Sequence, residues 1–166
     1  MLTALRHLVA ILVLPVVMTV VVPSWLLARF DLDTRWVATS TLSVVMRVLG
    51  ALLLLAGVVL FSWCVLLFAR VGRGTLAPWD PTQRLVAVGP YRYVRNPMIS
   101  GVAAVLAGEA LLTGSWILSL WFLLFVAFNY AYFVFVEEPG LERRFGEPYR
   151  EYKARVPRWI PRRPTV

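Results

Sequence analysis

Residues 42–69 carry a single charge, Arg47, and this run constrains the fold more than any other stretch of the chain. A bilayer crossing needs about 20 apolar residues, so the run predicts a membrane-spanning helix. Residues 5–27 predict a second, with Pro15 expected to kink it. From residue 98 to 136 the chain is apolar again, too long for one crossing and interrupted at Thr113, Gly114 and Ser115. That pattern predicts a helical hairpin with a short arm over residues 98–112 and a longer one over 116–136. At 1.5 Å per residue the short arm covers roughly 22 Å, against a hydrocarbon thickness of roughly 30 Å. It must start below the surface or lean on its neighbours.

Composition and charge extend this reading to an all-α integral membrane protein with four spans and several passes. Of 166 residues, 60% are hydrophobic and 16% charged, well below the roughly 25% charged residues of soluble domains. The first span lacks a small-residue cleavage site, so it reads as a retained helix rather than a signal peptide. The excess of 17 Lys+Arg over 9 Asp+Glu flanks the apolar spans, which fits anionic lipid headgroups and argues against a nucleic-acid partner. Arg70, Arg73, Arg84, Arg92 and Arg95 lie between spans two and three, and a basic tail follows span four. The positive-inside tendency therefore places both termini and the second loop in the cytoplasm. Cys64 is the only cysteine and His7 the only histidine, so neither a disulfide framework nor a metal site is expected.

This topology brings two polar, aromatic-rich stretches to one side of the membrane: GPYRYVRNP, residues 89–97, and EEPGLERRFGEPYREYKARVPRWIP, residues 137–161. Asn96 before Pro97 predicts an N-cap and an N1 proline, and the open N–H groups of that first turn attract an anion. On the fourth helix Asn129, Phe133, Glu137 and Leu141 fall on one stripe if the helix continues past Pro139. Paired carboxylates at a membrane boundary, Glu137 and Glu138, are costly unless they bind something. Anion-binding N–H groups, aromatic faces and carboxylates together complement a sulfonium amino-acid nucleoside such as S-adenosylmethionine. Glu109 is expected to snorkel to the hairpin tip, and Gly101 and Gly108 to mark close helix contact.

The order and spacing of GTLAPWDP, LVAVGPYRYVRNP, EEPGL and FGEPYREYKARVPRWIP, over residues 72–161, resemble the isoprenylcysteine carboxyl methyltransferase and phospholipid methyltransferase superfamily, in particular its small bacterial members. The resemblance implies a membrane-embedded enzyme of the bacterial inner membrane. It would use S-adenosylmethionine to methylate a lipophilic acceptor (an isoprenylcysteine-like carboxylate, a thiol or a phospholipid amine) and release S-adenosylhomocysteine. It further implies a transmembrane pair over residues 1–71 and a methyltransferase core over residues 72–166, in which the second loop, the hairpin and a C-terminal cytoplasmic helix build the donor pocket. Matching the family motifs position by position assigns Leu85, Val86, Tyr91, Asn96, Pro97, Met98, Ile99, Glu137 and Glu138 to the donor and Arg95 to catalysis. Phe133 and Asn129 then face the acceptor, while Tyr149 and Tyr152 match the tail.

Three positions depart from the family pattern. Asn96 stands where a histidine is usual, so no group titrating near neutral pH is available there. Ile99 replaces a tyrosine. Phe133 replaces an arginine that holds a substrate carboxylate, which leaves that task to Arg95 or the tail. These departures keep open a relative that has lost catalysis, and the superfamily's resemblance to membrane sterol and steroid reductases in its C-terminal helices keeps open a nicotinamide-dependent membrane lipid reductase. No obligatory protein partner is evident.

Overall fold

The computed structural model describes residues 12–30, 40–72 and 85–162. The first residues of span one, His7, Arg35, Arg73, Arg84 and the GTLAPWDP block lie outside them. The described residues are helical with no strands. A π-helical segment, Leu12–Val21, continues as α1, Val22–Phe30. The next helix, α2, spans Thr41–Leu67 and ends in a π turn, Phe68–Gly72. The hairpin follows as α3, Pro97–Thr113, and α4, Trp116–Tyr132. A π turn, Phe133–Glu137, joins α4 to α5, Glu138–Phe145, and α6 is Glu147–Arg155.

Two continuous helices, Thr41–Gly72 and Trp116–Phe145, are long and apolar enough to cross a bilayer, whereas Pro15–Phe30 and Pro97–Thr113 are shorter. Their outer faces carry exposed Leu49, Leu52, Val59, Leu123, Phe128 and Phe135, a surface that water would not tolerate and lipid would. The short arm of the hairpin is 17 residues, so about 26 Å. Ser40 caps α2 by accepting a hydrogen bond from the Ser43 N–H at 3.1 Å. The hairpin turns at Gly114, whose φ of 70° lies in the left-handed region.

The interior of the bundle is set by small residues seven apart. Ser43, Gly50, Gly57 and Cys64 are the buried positions of α2, and Gly101 and Gly108 face them from antiparallel α3. A Cβ on Gly57 would lie 2.6 Å from the Gly101 carbonyl oxygen, and one on Gly108 would lie 2.7 Å from that of Gly50. The two backbones therefore touch, as membrane helices do where small residues replace the missing hydrophobic drive between them. The expectation for Gly101 and Gly108 holds.

The first and last π segments accommodate prolines. In a five-residue register the Met18 carbonyl is opposed by residue 23, a proline with no N–H, and the Trp121 indole donates to it instead at 3.1 Å. At the other end the Glu138 N–H reaches back five residues to the Phe133 carbonyl, just before Pro139. The one-residue slip lets the helix run on through Pro139 to Phe145, past the end at 136 expected from hydropathy.

Candidate functional site

The loop before α3 is built to hold aromatic and apolar groups against the end of α2. Residues 85–87 carry no regular secondary structure, Val88 is extended, Gly89 turns at a φ of 60°, and a 3-10 turn, Gly89–Arg92, follows. Val86 points inward, where it joins Cys64 and Tyr91 in a cluster that also packs Phe68 and Met98. Leu85 instead lines a separate depression of about 270 Å³ with Arg92, Tyr152 and Arg155. Ile99 packs in a third place, against the Val102, Leu106 and Phe125 core. Of the residues assigned to the donor, Val86, Tyr91 and Met98 come together, and Leu85 and Ile99 look elsewhere.

Asn96 occupies the N-cap position of α3 with Pro97 at N1, but its side chain makes no capping hydrogen bond. The expected cap is corrected in that respect: the backbone at Asn96, φ −129° and ψ 57°, departs from the extended geometry in which a cap side chain reaches the N2 or N3 N–H. The first turn of α3 thus keeps open N–H groups, and the buried Asn96 amide is left for another partner.

The glutamate pair divides. Glu138 is 3% exposed and gathers three cations. Arg158 holds it with two donors, Nε to Oε1 at 2.7 Å and Nη2 to Oε2 at 3.2 Å. Lys153 Nζ lies 3.2 Å from Oε2 and Arg95 Nη1 lies 2.9 Å from Oε1, the latter an ion pair without hydrogen-bond alignment. Glu137, by contrast, forms no ion pair or hydrogen bond among the described residues, while its charge is close enough to bear on Tyr91. The predicted stripe of Asn129, Phe133, Glu137 and Leu141 is therefore corrected. The π turn inserts one residue, so the buried members are Phe125, Phe133 and Glu138. The Asn129 amide donates to the Phe125 carbonyl at 2.8 Å, and Phe133 is 2% exposed in the core.

A C-terminal strap closes the arrangement. The Arg95 N–H donates to the Pro157 carbonyl at 2.9 Å, and the Arg162 N–H to that of Tyr93 at 3.4 Å. The Tyr152 hydroxyl donates to the Tyr91 carbonyl at 2.7 Å, tying α6 to the loop. Arg158 also sits over the Tyr130 ring, 5.5 Å from its centroid. Burial first, and the Glu138 carboxylate second, hold the Tyr149 hydroxyl above the usual phenol range, and burial does the same for Tyr152. Both are proton donors at neutral pH, and neither is a base. Buried Arg95 Nε and the Tyr149 hydroxyl have no hydrogen-bond partner.

Sequence reasoning read Lys153 and Arg158 only as part of a basic, lipid-facing tail and missed their hold on Glu138. The available signal was Pro157, which ends α6 and turns the chain back toward the loop before placing a guanidinium. Among the described residues no group of three or more His, Cys, Asp or Glu side chains is placed to hold a metal ion.

The loop, Glu138 and the tail thus converge at one end of the helical bundle. The chain belongs to the phospholipid methyltransferase family, whose profile matches residues 45–148, within the isoprenylcysteine carboxyl methyltransferase superfamily. The match begins inside α2, earlier than the motif blocks, and stops before the Arg158 strap. No curated protein and no solved structure matches the chain.

Proposed function

We propose that the protein uses S-adenosylmethionine to methylate a lipophilic acceptor at the cytoplasmic boundary of a bacterial inner membrane, with four spans and both termini inside. One observation carries this reading: the Glu137 side chain has no ion pair among the described residues and its charge bears on Tyr91 of the loop before α3, while its neighbour Glu138 is saturated. The donor set fits the cofactor. Its hydroxyl or ammonium groups suit the Glu137 carboxylate, its carboxylate suits the N–H groups of Met98 and Ile99 with the Asn96 amide, and its apolar parts suit Val86, Tyr91 and Met98. Pro97 presets the helix start, and Leu85 lies next to this group in the chain.

When bound, the cofactor supplies an electrophilic methyl group on a sulfonium. The residues here align and shield, since methyl transfer to an anionic or thiolate acceptor requires no base. Positioning is then the main catalytic term, and effective molarities of about 10⁵ M or more are available to it. Glu138 holds Arg95, Lys153 and Arg158 so that Arg95 can present its free Nε toward an anionic part of donor or acceptor. Phe133 and Asn129 shape the apolar side of the acceptor path. The family match favours methyl transfer over a reductase.

Calorimetric titration of the detergent-solubilised protein with S-adenosylhomocysteine is expected to show micromolar binding, and NADPH none. Glu137→Gln is expected to weaken that binding at least tenfold, about 1.4 kcal/mol, with no change in unfolding temperature. Binding of NADPH alone returns the reductase. Binding of neither leaves a relative without catalysis.

A further inference from the structure

At the opposite end of the bundle lies a cavity of about 250 Å³, between α1 with its π segment and the α3–α4 turn. Glu109 forms part of its wall, twelve residues along α3 from Pro97, which is about 18 Å away from the proposed donor site. A carboxyl at such a depth is costly and is normally relieved by reaching water or a partner. Glu109 does neither completely. Its Oε2 is shielded from solvent and has no hydrogen-bond partner.

The chemistry around it is one-sided. Thr19 and Thr113 line the same cavity, and both have spent their hydroxyl protons on their own helices, Thr19 on the Pro15 carbonyl at 2.8 Å and Thr113 on that of Glu109 at 2.8 Å. Their oxygens keep lone pairs only. Among the described residues that line the cavity, Ser24 alone can donate or accept, and none is a Lys or Arg. The remaining wall, Leu27 and Leu118 among it, is apolar. An acceptor-rich end on an oily slot selects a group with several N–H donors and positive charge, attached to a hydrocarbon chain.

We infer that this cavity binds the primary ammonium head of an amphiphile, with the ammonium between Glu109 and the threonine oxygens and the chain along Leu27 and Leu118. A lipid headgroup amine and a free long-chain amine present the same chemistry. The site is separate from the methyltransferase reading and stands without it.

The test uses the full chain in phosphatidylcholine nanodiscs, which contain no primary amine, with dodecylamine as the probe. Dodecylamine is expected to raise the unfolding temperature saturably, and dodecanol and butylamine are not. Glu109→Gln should weaken dodecylamine at least tenfold while leaving S-adenosylhomocysteine titration as it is in the native chain. Ser24→Phe, at an exposed position on the rim, blocks the slot with the carboxylate intact and should abolish the effect even if Glu109→Gln does not fold. Equal response to dodecylamine and dodecanol overturns the ammonium site, as does a preference that survives either variant. Butylamine acting as well as dodecylamine overturns the amphiphile. Displacement of dodecylamine by added phosphatidylethanolamine supports a lipid source, and its absence supports a free amine.

Discussion

Gly57→Ala is expected to destabilise the protein by about 1–3 kcal/mol, although it adds one methyl group to a helix. Alanine is the better helix former by up to about 1 kcal/mol, so intrinsic propensity points the other way. The decision lies with space. The new Cβ meets the Gly101 carbonyl oxygen at 2.6 Å and the Val105 amide nitrogen at 2.8 Å, and both are backbone atoms that no rotamer change can move aside. Relief requires α2 and α3 to separate along their whole contact. Gly140→Ala is the internal control, since nothing lies within 4 Å of a Cβ there. It should be neutral or gain a few tenths of a kcal/mol, up to about 1. Thermal unfolding of both variants in one detergent checks the pair, and equal effects at the two glycines would remove close backbone contact as the organising feature.

Glu138→Ala is the second large effect, with an expected loss of about 3–5 kcal/mol. Its three cations do not suffer alike. Side chains of Lys153 and Arg158 are 37% and 25% exposed and can hydrate, but that of Arg95 is 8% exposed and is left as an uncompensated buried charge. Adding Arg95→Met to Glu138→Ala should therefore recover part of the loss, whereas independent effects would add. Loss of the Glu138 anchor also frees the strap, so trypsin should cut after Arg158 sooner than in the native chain. Arg155→Ala removes only an exposed pair with Glu151 and should stay within about 0.5 kcal/mol of native. If it proves as damaging as Glu138→Ala, the buried cluster is not what holds this end together.

These two sites show how far the sequence could be read. Hydropathy located α2, the hairpin break and both arms of the hairpin, because lipid imposes a length and a composition that residues 42–69 and 98–136 display openly. The family motifs pointed to the end of the bundle where Tyr91, Asn96 and the glutamates gather. Pairing across distance was not legible. Arg158 lies 20 residues from Glu138, and nothing in a run of basic residues distinguishes the one that turns inward from those that stay in water. The π turn at Phe133–Glu137 was hidden for another reason: a one-residue slip leaves no mark on composition, yet it decides which of two adjacent glutamates is buried. Asn96 misled, an able cap in a backbone geometry that does not use it.

The contact between α2 and α3 acts as a keel. Two helices touching through their main chains have no side-chain cushion to compress, so they can neither slide nor breathe without rupture. Whatever flexing the bundle performs must fall to α4, which carries bulky residues outward and ends in a slipped turn before α5. A hinge at Phe133–Glu137 would swing the C-terminal segment and Glu137 with it while the keel stays still, so the part of the protein able to move is also the part that bears the unpaired carboxylate.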